Sequence, residues 1–169
     1  MTAKSLDIYV LAKLLLEEQP RPYGVVAGEL GMSASEYHAA VRRLGVAGLI
    51  DAESRAIRKR PTRDFLFHGL RYVFPATRGE LNRGLPTSFA APPLANVIAA
   101  GSNIIPIWPT ADGERLGYTI DPLHPSAPKA AVRNSRFYEL LALLDALREG
   151  RPRESRLAME EIDKRLRDA

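Results

Sequence analysis

The chain has no cysteine. That absence excludes a disulfide framework, a thiolate zinc site and a cysteine nucleophile, and it fits a reducing, cytoplasmic setting. Histidine is nearly as scarce. His38, His68 and His124 are the only three, no two are spaced i, i+3 or i, i+4, and HExxH is missing, so no metal site is expected. His68, within FLFHGL, is expected as a half-buried, hydrogen-bonded side chain. GxxxxGK[ST] and GxGxxG are both missing, so nothing supports a nucleotide cofactor. GxSxG is missing as well, so no nucleophile elbow organises the serines. Trp108 and Tyr118 read as packing a small core. Long apolar runs are also lacking. The N-terminal MTAKSLDIYVLAKLLLEEQP is broken by Asp7 and Lys13 and has no small-residue cleavage site, so neither a signal peptide nor a membrane span is expected. The expected class is a cytoplasmic non-enzyme without cofactor or metal.

What the chain does have is enough apolar residues for a core, 46% of 169, and a net charge of +4 that is unevenly spread. Half of the basic residues in the first 63 positions fall in RAIRKRPTR (55–63), a run without an acid. Such a run beside a helical motif suggests phosphate contact.

Local signals outline the elements. Ser5 opens a helix over 6–19 that the prolines at 20 and 22 stop. Helices are expected at 23–30 and 34–47, and a short one at 63–70 capped by Thr62. RYVF and PTSFA read as strands joined by ATRGELNRG into a hairpin over 71–90. A second hairpin is expected over 104–120, turning at Asp112-Gly113, with Pro106 and Pro109 marking edge strands. DPLHPSAPKAA (121–131) reads as a connector. Asn134 caps a helix that Gly150 ends, and Phe137, Leu140, Leu141, Leu144 and Leu147 form its apolar stripe. A charged, weakly amphipathic helix over 153–168 closes the chain.

The stretch ELGMSASEYHAAVRRLGVAGLI (29–50) carries the densest pattern. Gly31 supplies a turn. Ser33 and Glu36 form a capping box. Tyr37, Val41 and Leu44 make an inward stripe. Gly48 ends the helix so that Leu49 folds back on Leu44, and Ile50 begins a strand. The opposite face holds Ser35, His38, Ala39, Arg42 and Arg43, small residues with a few donors, as a helix in a major groove requires. Two helices joined by a short glycine turn are the helix-turn-helix pattern.

LGMSASEYHAAVRRLGVAGLI resembles the recognition-helix segment of winged-helix bacterial regulators of the MarR-like and GntR-like groups, with Ser33, Tyr37, Val41, Leu44 and Gly48–Ile50 in register. The likeness covers about residues 5–50. Tyr37 departs from the usual small β-branched residue, and Gly45 costs about 1 kcal/mol against alanine inside a helix. The following IDAESRAIRKRPTRDFLFHGL reads partly as helix, so the wing is expected in the 71–90 hairpin with Arg78 and Arg83 at its tip. The stretches from FLFHGLRYVF to SFAAPPL and through YELLALLDALREGRPRE are similar to bacterial helix-turn-helix proteins encoded beside nucleotidyltransferase toxins of the abortive-infection type.

The expected architecture is mainly α with small β-hairpins (α+β): a winged helix-turn-helix unit over 1–90, a proline-rich hairpin and connector region over 91–133, and a helical pair over 134–169. The expected function is a homodimeric, sequence-specific transcriptional regulator on double-stranded DNA. Its DNA contacts would come from Ser35, His38, Ala39, Arg42, Arg43, Arg55, Arg58, Lys59, Arg60, Arg63, Arg78 and Arg83. The 134–169 stripe either joins the dimer or closes the chain's own core. The alternative is an antitoxin-like or adaptor module whose partner is a protein, including a cognate toxin, on the same scaffold.

Overall fold

A computed structural model describes residues 2–99, 101 and 104–169. It is an α+β fold of helices α1 (Ser5–Leu16), α2 (Tyr23–Leu30), α3 (Ala34–Val46), α4 (Lys59–His68), α5 (Leu70–Val73), α6 (Ala127–Arg133), α7 (Ser135–Glu149) and α8 (Pro152–Asp168), with strands β1 (Arg78–Pro86), β2 (Ile105–Pro109) and β3 (Arg115–Ile120). Among the described residues no helix is long and apolar enough to cross a membrane.

The N-terminal helices follow their local signals. Lys4, rather than Ser5, is the N-cap of α1, and its amide is bound by the Asp7 carboxylate at 2.8 Å. The helix stops at Leu16, before the prolines. At α3, Ser33 Oγ accepts the Glu36 amide at 3.1 Å and Glu36 Oε2 accepts the Ser33 amide at 2.9 Å. Gly31 (φ 71°) and Gly48 (φ 77°) both take the left-handed conformation, which suits glycine because it has no Cβ to clash. The Leu49 amide closes on the Leu44 carbonyl at 3.1 Å, the long bond of a Schellman end.

After α3 the chain makes one antiparallel bridge, Ile50 to Ile57. Its loop is organised by Asp51, whose Oδ1 accepts the amides of Glu53 and Ser54 and the Ser54 hydroxyl. Gly45 has a packing reason to sit inside α3: a Cβ there would lie 2.5 Å from that of Ala52, so its absence lets the loop close against the helix.

The middle of the chain differs from expectation. RYVF belongs to α5, and ATRGELNRG is mostly β1, so no hairpin exists over 71–90. Glycine and arginine make this stretch turn-like by composition, but pairing with β3 holds it extended. β2 and β3 exist, with Asp112-Gly113 in their connection, yet they pair with each other in parallel; β1 is antiparallel to both, giving a closed three-stranded barrel. β2 is therefore flanked on both sides and is not an edge strand. Gly84 faces both Pro109 and Arg115, and a Cβ there would run into the Trp108 carbonyl. A Cβ at Gly117 would run into the Ile105 carbonyl. The barrel closes because these two positions carry no side chain.

Three further expectations are corrected. The connector contains α6, with Pro128 in its first turn where proline needs no amide partner. α4 begins at Lys59, and Thr62 is no cap: its buried hydroxyl donates to the Leu49 carbonyl at 2.9 Å. His68 is exposed at the end of α4.

The three segments read from sequence share one apolar core, which runs from Ile8 and Leu11 through Leu66, Ile107 and Trp108 to Leu144, Ile162 and Leu166. α7 is its axis. Asn134 caps it through the Phe137 amide at 3.1 Å, and every residue from Leu140 to Arg148 is buried. Of the two roles expected for its stripe, dimer seam or closure of the chain's own core, the second is seen: α1, α5, α6 and α8 cover it within the chain. The helix even buries Asp145, which binds Trp108 Nε1, Thr87 Oγ1 and Arg148 NH1 at 2.7, 2.7 and 2.6 Å. Arg148 in turn donates to the carbonyls of Phe74 and Asp121. This satisfied polar knot pins the barrel to α7, as burial of a carboxylate requires.

Candidate nucleic-acid interface

α2, the Gly31 turn and α3 form a compact unit on α1. Tyr37 fits under α3 because Tyr23 meets it edge-on at 5.3 Å and Arg55 NH1 approaches its hydroxyl at 3.4 Å. The extra ring volume thus fills a pocket between α2 and the bridge loop. Tyr9, buried below, donates its hydroxyl to the Leu30 carbonyl at 2.9 Å and holds the end of α2. At the rim, Arg21 joins Glu17 and Glu29, and Lys13 reaches the same two carboxylates.

The outer face of α3 presents Ser35, His38 and Arg42 to solvent, with Ala39 half-buried between them. Their spacing of three and four residues puts them on one stripe. Among the described residues Arg42 has no ion-pair partner. Arg43 turns away from this stripe. It makes a two-point contact with the buried Asp7 carboxylate, Nε to Oδ2 at 2.9 Å and NH2 to Oδ1 at 2.7 Å. Its donors are committed to α1, so it belongs to the fold rather than to the outer face.

The basic run divides in the same way. Arg55 is half-buried over the Tyr23 ring at 4.6 Å, at a positive φ of 60°. Arg63 pairs with Asp163 of α8 at 2.7 Å and covers the Phe67 ring. Lys59 Nζ donates to the Arg167 carbonyl at 3.1 Å. Arg58 and Arg60 are exposed at the start of α4. The Arg58 amide bonds to the Leu49 carbonyl at 2.9 Å, which ties the start of α4 to the end of α3. Arg78 and Arg83 are barrel residues: Arg78 stacks over Tyr118 at 4.0 Å, and Arg83 NH1 donates to the Glu114 carbonyl at 2.9 Å. They form no wing.

Known protein families, curated proteins and solved structures contain no match to this chain.

Residues that sequence reasoning passed over hold the unit together. Asp7 is an isolated acid in the first turn of an otherwise apolar helix, and that isolation is the one signal of a buried partner. Asp145 sits within an unbroken buried run and offered the same signal. His124 stacks on Tyr9 at 4.9 Å and 10°, and its Nδ1 accepts the Ser126 amide at 3.1 Å. Burial lowers its pKa, against the raising effect of Glu36.

Proposed function

We propose that the chain is a helix-turn-helix DNA-binding regulator acting in the cytoplasm, with α3 entering a major groove and Arg58, Lys59 and Arg60 meeting phosphates. The observation that carries this reading is the outward stripe of Ser35, His38, Ala39 and Arg42 on a capped helix behind a glycine turn. Small residues permit close approach, His38 and Arg42 supply donors to base edges, and the cations of α4 follow from the end of α3. The bridge loop after α3 occupies the chain position of a wing. Two chains on half-sites about one helical turn apart would give the needed selectivity. They would meet through a surface other than the α7 stripe, which is consumed inside the chain.

The test is fluorescence anisotropy on duplex promoter fragments. With three phosphate contacts per chain, six for the two chains, affinity falls roughly 10³-fold between 50 and 200 mM salt. Arg42→Ala costs about 1–3 kcal/mol and relaxes sequence preference. No binding at low salt removes the reading.

A second reading, a protein-interaction module of antitoxin or adaptor type, is favoured by one observation. The bridge loop exposes Glu53 where a DNA-binding wing needs a cation, while Val25 and Val46 are exposed on α2 and α3. Binding to a cognate toxin in the absence of DNA, lost in Val46→Glu, would select it.

A further inference from the structure

A cleft of about 530 Å³ opens between the β2–β3 connection and α6. Its apolar wall is built from the rings of Pro86, Pro109, Pro125 and Pro128 with Val132. The Tyr138 hydroxyl donates to the Pro86 carbonyl and holds the floor in place. Charges of both signs line the same space: Asp112 and Glu114 from the connection, Arg115 from β3 and Lys129 from α6. Among the described residues none of these four forms an ion pair.

The segment that lines this cleft also grips the helix-turn-helix turn. Between Pro125 and Pro128, Ser126 Oγ donates to the Gly31 carbonyl at 3.3 Å. The fit is close: a Cβ at Gly31 would lie 2.6 Å from that oxygen. Two residues back, His124 stacks on Tyr9, whose hydroxyl holds the Leu30 carbonyl. A shift of Pro125 or Pro128 is therefore passed to residues 30 and 31, immediately before the α3 cap.

We propose that this cleft binds a small apolar zwitterion of dipeptide size, and that its occupancy is transmitted through His124–Ser126 to the α2–α3 turn. The volume falls in the range of small-molecule sites, which combine apolar walls with a few polar groups that fix orientation. Proline rings and Val132 take the apolar body. Asp112 and Glu114 take an ammonium group, and Arg115 and Lys129 take a carboxylate. A ligand carrying both charges engages both pairs, whereas an ion of one sign engages only one. The consequence for DNA rests on the regulator reading above; the binding event does not.

The experiment is calorimetric titration of the full chain, without DNA, with the dipeptide Leu-Phe and with its N-acetylated, C-amidated form. Amide hydrogen exchange is followed at residues 30–33. Saturable 1:1 binding of the free dipeptide is expected, at least tenfold weaker for the capped form and for Lys129→Glu and Val132→Glu. Both substituted side chains are exposed, so the variants keep the fold, and circular dichroism checks this. Slower exchange at 30–33 on binding is expected. No heat at millimolar dipeptide, or equal binding by the variants, overturns the site. Equal binding of the capped form overturns the zwitterion and identifies a segment of protein chain as the occupant. Binding that leaves exchange at 30–33 unchanged overturns the coupling. Because no DNA is present, failure here leaves the DNA reading standing, and absence of DNA binding leaves this result standing.

Discussion

Arg43, in the last turn of α3, closes a two-point clamp on Asp7, in the first turn of α1, across 36 positions of chain. Asp7 is almost fully buried. Removing its partner leaves an uncompensated charge in the core. Arg43→Ala is expected to destabilise the fold by about 3 kcal/mol, while adding Asp7→Asn to Arg43→Ala recovers part of that loss. Urea denaturation of the two single variants and the double variant measures the coupling. If the proposed regulator function holds, folded Arg43→Ala is expected to bind duplex DNA as the parent does, in contrast to Arg42→Ala.

Asp145 anchors the barrel to α7 through Trp108 and Thr87. Asp145→Ala strands the Arg148 guanidinium and the indole donor together, and is expected to cost about 3–5 kcal/mol. Trp108 is the only tryptophan, so its emission reports on this site alone. A red-shifted maximum below the unfolding midpoint is expected; an unchanged spectrum and midpoint would refute the anchor.

Gly117→Ala tests barrel closure. The new methyl meets the Ile105 backbone, which cannot move aside as a flexible side chain would. A loss of about 1–3 kcal/mol is expected, with faster amide exchange in β2 and β3. Gly24→Ala is the control, because nothing lies within 4 Å of a Cβ there, and α2 gains helix propensity.

Glu29 is held at a pKa of about 2 against an ordinary 4.5, mainly by the Arg21 hydrogen bonds and then by Lys13. The folded-state value lies below the unfolded one, so this contribution is complete above about pH 4.5 and is lost as pH falls towards 2. Urea midpoints between pH 5 and 2.5 should fall less steeply in Glu29→Gln than in the parent. The difference should shrink in high salt, since the group is partly exposed and screened.

What the sequence determined by itself is whatever depends on residues within a few positions of one another. The capping box of Ser33 and Glu36, the left-handed ends at Gly31, Gly48 and Gly150, the Asn134 cap and the inward stripe of Tyr37, Val41 and Leu44 all stand in the structure. Each is a hydrogen bond or a steric preference inside one turn of helix, so composition and spacing suffice. Tertiary structure decided the rest. ATRGELNRG is a strand because β3 and, at Gly84, β2 pair with it, and Gly84 and Gly117 let backbones approach where a Cβ would collide. Arg43 on α3, like Arg55 and Arg63 in the basic run, looks like a free cation, but their partners Asp7, Tyr37 and Asp163 lie 36, 18 and 100 positions away. The α7 stripe could be read as a dimer seam or as part of the chain's own core for a similar reason: what covers it, α1, α5, α6 and α8, comes from segments spread along the chain, and burial on all sides leaves no periodicity that distinguishes an internal face from one awaiting a second copy.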